Sequence, residues 1–139
     1  MTVLTGHDDA VAQWVAANLG VTIAPPYVAL GVLDAAGVLI GGAVFSGYSG
    51  ANIDVTIYGP RAMTREALRA GFAYVFSQLR CERLTARCKR SNAVMRRLMD
   101  RLGFRYEGTQ RRYWGSDRNS DAMVYGMTRE ECRWINAGS

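Results

Sequence analysis

Residues 83–108, RLTARCKRSNAVMRRLMDRLGFRYEG, contain the pattern that decides the fold of this chain. Apolar and polar side chains alternate over residues 83–88, which predicts a strand with one buried face. Apolar side chains then recur at steps of three and four over residues 94–102, which predicts an amphipathic helix with Ser91 as its N-cap. Gly103 suits the left-handed conformation that ends helices. The segment is therefore predicted to run from a strand through a tight turn into a helix, and on into another strand.

The rest of the sequence shows the same mixture of helix and strand patterns. The elements predicted there are a helix at residues 8–19, strands at 27–33, 38–45 and 53–58, a helix from Thr64 to Leu79, strands at 104–113 and 121–127, and a short helix at 128–134. This order predicts one α/β domain over residues 1–139, with a mixed sheet flanked by helices.

Composition limits the class of protein. The chain has 139 residues, of which 49% are hydrophobic and 21% charged, as in an ordinary globular domain. Its three cysteines form no CxxC pair and His7 is its one histidine, so we expect neither a disulfide framework nor a metal site. The longest apolar run, residues 38–45, is too short to cross a bilayer. The N-terminus lacks a signal-peptide pattern, so we predict a cytoplasmic protein with no membrane partner.

The charge is positive, with 17 lysine and arginine residues against 12 acidic ones and a net charge of +5. Only Lys89 is a lysine. Arginine binds phosphate and carboxylate through two parallel hydrogen bonds. The surplus therefore favours an anionic partner, and nucleic acid is one of the candidates.

Two junctions carry candidate chemistry. The strand at residues 53–58 enters a loop and then a helix, an arrangement whose free N–H groups bind anions. Gly59 permits unusual backbone angles there, and Arg61 and Arg65 are candidates to contact a pyrophosphate, although such loops and surface arginines are common in α/β units. Asn92 offers both a donor and an acceptor to an amide-containing ligand. Its alternative role is to bond its own helical turn.

These features resemble the GNAT N-acetyltransferase superfamily over residues 27–134. The most specific match is to the N…L…LGF…EG pattern of ribosomal-protein and many bacterial or phage-encoded acetyltransferases. Here that pattern consists of Asn92, Leu98, Leu102-Gly103-Phe104 and Glu107-Gly108. Residues 124–127 and 131–134 resemble the ending of a phage-associated branch, which is a weaker signal.

The resemblance implies a GNAT fold whose twisted sheet splays between the fourth strand, residues 53–58, and the fifth, beginning at Arg83. Acetyl-CoA would lie in that wedge as a co-substrate. Carried over residue by residue, pantetheine and acetyl contacts fall on Val55, Ile57 and Tyr58, pyrophosphate contacts on Gly59, Arg61, Ala62, Met63, Thr64 and Arg65, and a further pantetheine contact on Asn92. Family members often pair through their late strands, so a homodimer is an expectation too.

Two departures from the family pattern concern binding and catalysis. The phosphate loop lacks the usual Q/R-x-x-G-x-G/A spacing, looks shortened, and contains Pro60, which has no N–H. The tyrosine that many relatives use as a general acid falls on Met99, and a relative's serine falls on Met95. Neither methionine can donate a proton. The acid would then be Tyr106, Tyr113 or a bound water, or no acid is used.

The implied reaction is direct attack of a primary amine on the thioester. An unperturbed lysine amine has a pKa of about 10.4 and an α-amine about 8, so a base helps, and Asp54 is the candidate. Its alternative is an exposed strand carboxylate without a role.

The acceptor is left open among small amines, peptide N-termini, lysines and tRNA-borne amines. Two other functions stay open. One is a CoA- or nucleotide-binding protein with weakened chemistry, and the other is a basic module that binds nucleic acid or protein.

Overall fold

The structure is a computed structural model and describes residues 1–135. Its strands are β1 (Thr2–Leu4), β2 (Tyr27–Leu33), β3 (Leu39–Ser46), β4 (Asn52–Tyr58), β5 (Arg83–Lys89), β6 (Arg105–Gln110) and β7 (Ala122–Thr128). Its α-helices are α1 (Asp8–Leu19), α2 (Arg65–Ala73) and α3 (Ala93–Leu102). The strands form one sheet in the order β1-β2-β3-β4-β5-β7-β6. The β4–β5 pair is parallel and the other pairs are antiparallel, which confirms the predicted mixed sheet.

Different helices cover the two faces of the sheet. On one face, α1 buries its apolar side against Ala29 of β2 and Val44 of β3. On the other face, α2 and α3 pack over a larger core that includes Ile53 and Val55 of β4. Because side chains alternate along a strand, Asp54 points to the α1 side of the sheet. Within residues 1–135, none of the helices has the length and apolar character that crossing a lipid bilayer requires.

Several sequence predictions are confirmed at the ends of helices. α1 spans residues 8–19 as expected, and Gly20 follows it in the left-handed conformation. The hydroxyl of Thr64 accepts the N–H of Ala67 and so caps α2. Gly103 ends α3 with φ 101°. These residues have strong intrinsic preferences for such positions, which is why the sequence alone placed them.

Two elements differ from the prediction for local reasons. The three residues of β1 are too few to show a periodicity, and pairing with β2 establishes the strand. The helix expected to reach Leu79 is α-helical only to Ala73 and continues as a π-helical turn over Tyr74–Gln78. That wider turn brings Val75 and Phe76, which are adjacent in sequence, fully into the core.

The ends of the last elements also differ. β6 stops at Gln110, because Arg112 turns the chain with φ 56° and donates its N–H to Asp121. The helix predicted at residues 128–134 is wrong, since only the 3₁₀ turn Arg129–Glu131 forms. Trp134 instead stacks on a core phenylalanine and donates its indole N–H to the carbonyl of Leu102. This side chain draws the segment back toward α3.

Candidate functional site

An opening in the middle of the sheet is the main feature of the site. β4 and β5 pair from Asn52 opposite Arg83 to Val55 opposite Ala86, and the register then ends although both strands continue for three residues. Beyond that point β4 stays paired with β3, and β5 stays paired with β7. Each strand is therefore held on its outer side only, and their inner main-chain edges face each other across a wedge.

The loop that follows β4 is compact. Gly59 adopts φ 73°, and residues Pro60–Ala62 form a 3₁₀ turn. A Cβ atom at Gly59 would collide with the carbonyl oxygen of Ile40 in β3. The shortened loop is therefore seated directly on β3, and glycine is required there both by conformation and by space.

The N–H groups of this loop are partly used within it. Ala62 donates to the carbonyl of Gly59 at 2.9 Å, and Met63 donates to that of Pro60 at 3.3 Å. Thr64 holds the N–H of Ala67. The first N–H groups of α2 have no carbonyl acceptor within the helix. An anion at this end of α2 would therefore contact those N–H groups and not the amides of the turn. The exposed side chains of Arg61 and Arg65 lie on the same short segment.

The residue that caps α3 is not the predicted one, and the ligand contact of Asn92 stays a prediction. Asn92, not Ser91, is the N-cap, and its Oδ1 accepts the N–H of Met95 at 3.2 Å. Ser91 donates its hydroxyl to Asn119 instead. Both residue types are good caps, so the sequence could not choose between them. The Nδ2 of Asn92 is the group left to serve a ligand.

The two helix N-termini lie at the same edge of the sheet. α2 follows β4 and α3 follows β5, and these two strands run parallel. The carboxyl ends of both strands, and the N-terminal ends of both helices, therefore border the wedge. In open α/β sheets this edge is where phosphate-bearing ligands bind.

A polar network lines the α1 side of the sheet beside the wedge. Asp54 accepts hydrogen bonds from Asn52 at 3.0 Å and from the guanidinium of Arg87 at 2.9 Å. Thr85 donates to Asn52 at 2.6 Å. The network joins β4 to β5 over the paired stretch and extends to Arg87, the first residue of β5 beyond the pairing, so Asp54 is held next to the start of the wedge.

Arg87 connects two residues that the sequence analysis had selected separately. Besides its ion pair with Asp54, its Nε donates to Gln110 at 2.8 Å, and its guanidinium lies 4.9 Å from the ring centre of Tyr113. Asp54 and Tyr113 are thus brought to the two sides of one arginine. Sequence reasoning placed Arg87 in a strand but missed this role, as it missed Asn52 and Gln110. Alternation alone shows which face a residue takes, but not its cross-strand partner.

Tyr106, the other candidate acid, lies elsewhere. Ala86 is opposite Tyr125, and Tyr125 is opposite Tyr106, so these three residues share the sheet face opposite to Asp54. Tyr106 stands on the edge strand β6, with its hydroxyl 2.7 Å from that of Thr109. The structure does not bring it together with Asp54 and Tyr113.

The two methionines that the resemblance matches to hydroxyl side chains of relatives are core residues. Met95 is 5% exposed and Met99 is 1% exposed. Cys88 of β5 is buried in the same core, and burial raises the pKa of its thiol to about 11 although Arg96 opposes the shift. The thiol therefore stays protonated at neutral pH and acts as a small apolar side chain.

Comparison with known proteins agrees with this geometry. Residues 4–105 match the family model described as an acetyltransferase (GNAT) domain. No curated protein matches the sequence.

Solved structures with the same fold include a dodecameric spermidine N-acetyltransferase from Vibrio cholerae, with 14% identity, TM-score 0.72, and coverage of 99% of this chain and 98% of that one. A GCN5-related N-acetyltransferase from Brucella melitensis has 27% identity and TM-score 0.64 over 76% of this chain and 52% of that one. A ribosomal-protein-S5-alanine acetyltransferase from Vibrio fischeri has 17% identity and TM-score 0.62 over 79% and 64%.

Proposed function

Because this chain belongs to the GNAT family of acetyltransferases, we propose that it moves the acetyl group of acetyl-CoA to a primary amine. The observation that carries the proposal is the end of the β4–β5 pairing after Val55 and Ala86. An extended ligand arm with amide groups can add to an open strand edge by main-chain hydrogen bonds. The wedge supplies such an edge in the centre of the sheet.

Binding of the co-substrate would use groups on both sides of the wedge. The inner edge of β4, including Val55, Ile57 and Tyr58, would pair with the pantetheine arm. The loop from Gly59 to Arg65 and the first N–H groups of α2 would hold the pyrophosphate. Within this loop, the amides of Ala62 and Met63 already donate to the turn. Arg61 and Arg65 would therefore supply most of the positive charge that binds the pyrophosphate.

The chemistry would be a direct acyl transfer. The nitrogen of the unprotonated amine attacks the thioester carbonyl carbon, a C–N bond forms, and the C–S bond breaks. The attacking nitrogen loses a proton, for which Asp54 is the proposed acceptor, and the departing thiolate gains one. Tyr113 or a water molecule is the proposed donor, since Tyr113 lies with Asp54 around Arg87. A main-chain N–H of β4 would stabilise the charge that develops on the carbonyl oxygen.

The test combines binding and turnover. Calorimetric titration should show acetyl-CoA binding, and thiol release should depend on an added amine from a panel of small amines, peptides and polyamines. Binding without amine-dependent thiol release would favour the rival function, a CoA-binding protein that has lost its chemistry, which the buried Met95 and Met99 suggest. A cytoplasmic location, a phage-associated branch and pairing into homodimers stay predictions from the sequence.

A second candidate function, nucleic-acid binding, has one observation in its favour. Arg65 and Arg69 of α2 and Arg133 line a groove of about 650 Å³. Arg133 also donates to the main-chain carbonyl of Arg101 on α3, which links the groove to that helix. Within residues 1–135, none of these four arginines forms an ion pair. Salt-dependent RNA or DNA binding that is lost in Arg69→Gln/Arg101→Gln, without any acetyl-CoA binding, would support this candidate.

A further inference from the structure

We propose that the acceptor is a primary amine with a carboxylate group beside it, and not a polycationic amine. An α-amino acid has this chemistry, and so does the N-terminus of a peptide whose next residues are acidic. The inference deepens the proposed acetyl transfer and rests on it. It comes from the charges around Arg87, where the carboxylates already have partners and, within residues 1–135, the nearest arginines form no ion pair.

The two carboxylates on the strands are already in ion pairs. Asp54 lies 2.9 Å from Arg87, and Glu107 of β6 lies 2.6 Å from Arg83. The second pair passes over Gly126 of β7, where a Cβ atom would stand 2.5 Å from both charged groups. The absence of a side chain at Gly126 therefore allows β5 and β6 to be bridged across β7. Each negative charge on this part of the sheet has a positive partner.

The acidic residues of the β6–β7 loop are engaged as well. Asp121 accepts the main-chain N–H of Arg112 at 2.8 Å. Asp117 accepts the N–H of Asn119 at 3.0 Å and the hydroxyl of Ser120 at 2.8 Å. These bonds shape the loop and engage Oδ1 of both carboxylates. A polyamine, whose second ammonium group needs a carboxylate of its own, would have to share each of them with the main-chain and hydroxyl donors that already hold it.

Arg111 and Arg112 are placed to receive a carboxylate. They lie between Gln110 and Tyr113, and both of those residues contact Arg87, so the turn stands directly beside the Asp54–Arg87 pair. Both arginine side chains are exposed, and neither forms an ion pair with any residue in the range 1–135. Arginine recognises carboxylates by two parallel hydrogen bonds.

Asp54 can be approached past Gly47, since its Oδ2, the oxygen that accepts from Arg87, also faces that glycine. A Cβ atom at Gly47, in the turn between β3 and β4, would lie 3.5 Å from Oδ2 of Asp54. With glycine at this position, that oxygen is left with room for a hydrogen bond from an amine. An acceptor bound there would direct its amine to Asp54 and its carboxylate to the neighbouring turn.

Matched acceptors test the inference. Thiol release is measured with alanine and alaninamide, with the peptides Ala-Asp-Asp and Ala-Asn-Asn, and with spermidine, at equal concentrations of unprotonated amine. We expect kcat/KM to be about tenfold higher for a carboxylate acceptor than for its amide. One charge-assisted hydrogen bond to the carboxylate would account for a factor of that size. Preference for alanine would indicate a free amino acid, and preference for Ala-Asp-Asp a peptide.

Substitutions assign the preference to the turn. The double variant Arg111→Gln/Arg112→Gln should abolish the preference for carboxylate acceptors. Arg80→Gln is the control and should keep that preference, because it removes an exposed arginine with a positive φ that precedes β5, at the end of the strand away from the turn. Arg87→Gln should raise kcat/KM for spermidine relative to that for alanine, since it leaves the charge of Asp54 without its partner. Equal rates for acids and amides, or spermidine as the best acceptor of the wild type, would overturn the inference and leave the acetyl transfer standing. Failure of every amine would instead refute the proposed function and the inference with it.

Discussion

At the scale of single residues, Asp54 has both of its oxygens engaged at the point where β4 leaves β5. A carboxylate that is held in this way has a fixed direction, which a general base needs. Its neighbours in sequence, Ile53 and Val55, are buried on the opposite face. The structure therefore isolates Asp54 as a polar group at the wedge, whereas from the sequence it was a candidate base or an exposed strand carboxylate without a role.

Asp54→Asn is the first prediction. The amide keeps the shape of the side chain but cannot take a proton or pair with the charge of Arg87. We expect kcat to fall by about 100-fold, a typical contribution of a general base, while calorimetry shows little change in acetyl-CoA affinity. Glu130→Gln, an equivalent change on an exposed 3₁₀ turn, is the control. Full activity of Asp54→Asn would remove Asp54 from the mechanism.

Cys88 gives a prediction about pH and stability. Its pKa of about 11 in the folded protein exceeds its reference value of 9.0, so ionisation favours the unfolded chain once the pH passes 9. The contribution of Cys88 to the free energy of unfolding is complete below that pH and is lost as the pH rises toward 11, at up to about 1.4 kcal/mol per pH unit. Urea unfolding should show that the free energy of unfolding falls less between pH 8 and pH 10 for Cys88→Ala than for the wild type. An identical loss would contradict the assignment.

At the scale of elements, the loop after β4 depends on Gly59. Gly59→Ala should destabilise the protein by about 2 kcal/mol or more, since it adds a collision with Ile40 to the cost of a positive φ. We also expect weaker acetyl-CoA binding, because the loop must move. Gly37→Ala is a matched control with φ 81° and open space around the position. Equal losses of stability by urea unfolding, and equal acetyl-CoA affinities by calorimetry, in the two variants would contradict the account.

The start of α3 separates a structural role from a binding role. Asn92→Ala should cost about 1 kcal/mol of stability, because the N-cap bond to Met95 is lost. Asn92→Asp keeps that acceptor and removes the Nδ2 donor. If Nδ2 binds pantetheine, Asn92→Asp should have normal urea stability and weakened acetyl-CoA binding. Normal binding in that variant would make Asn92 a cap and nothing more.

The elements themselves were largely predictable from the sequence, and their relations were not. Alternation and helical spacing predicted the strands and helices. Gly103 and Thr64 marked helix ends, because glycine adopts a positive φ at little cost and the threonine hydroxyl can cap a helix. The π-helical turn after Ala73 was not predictable, since it accompanies the burial of Val75 and Phe76, which depends on tertiary packing. The pairing of Arg87 with Asp54 also depends on strand register, which no local pattern contains.

At the scale of the whole molecule, the sheet separates two kinds of surface. The α1 side carries the charge-paired network around Arg87, and the α2–α3 side carries the arginines of the groove. The net charge of +5 indicated an anionic partner but could not show that, in the part of the chain the structure describes, arginines without an ion pair lie on both sides. The resemblance to the GNAT family predicted the splay, because that feature belongs to the family's topology and not to any single residue.

Amide hydrogen exchange with and without saturating acetyl-CoA tests the central claim most directly. The claim is that the inner edge of β4, beyond its last pairing with β5, binds the co-substrate through main-chain groups. We predict slower exchange at residues 56–58 and in the first turn of α2, with no change in α1. Unchanged exchange at residues 56–58 under saturating acetyl-CoA would contradict the account.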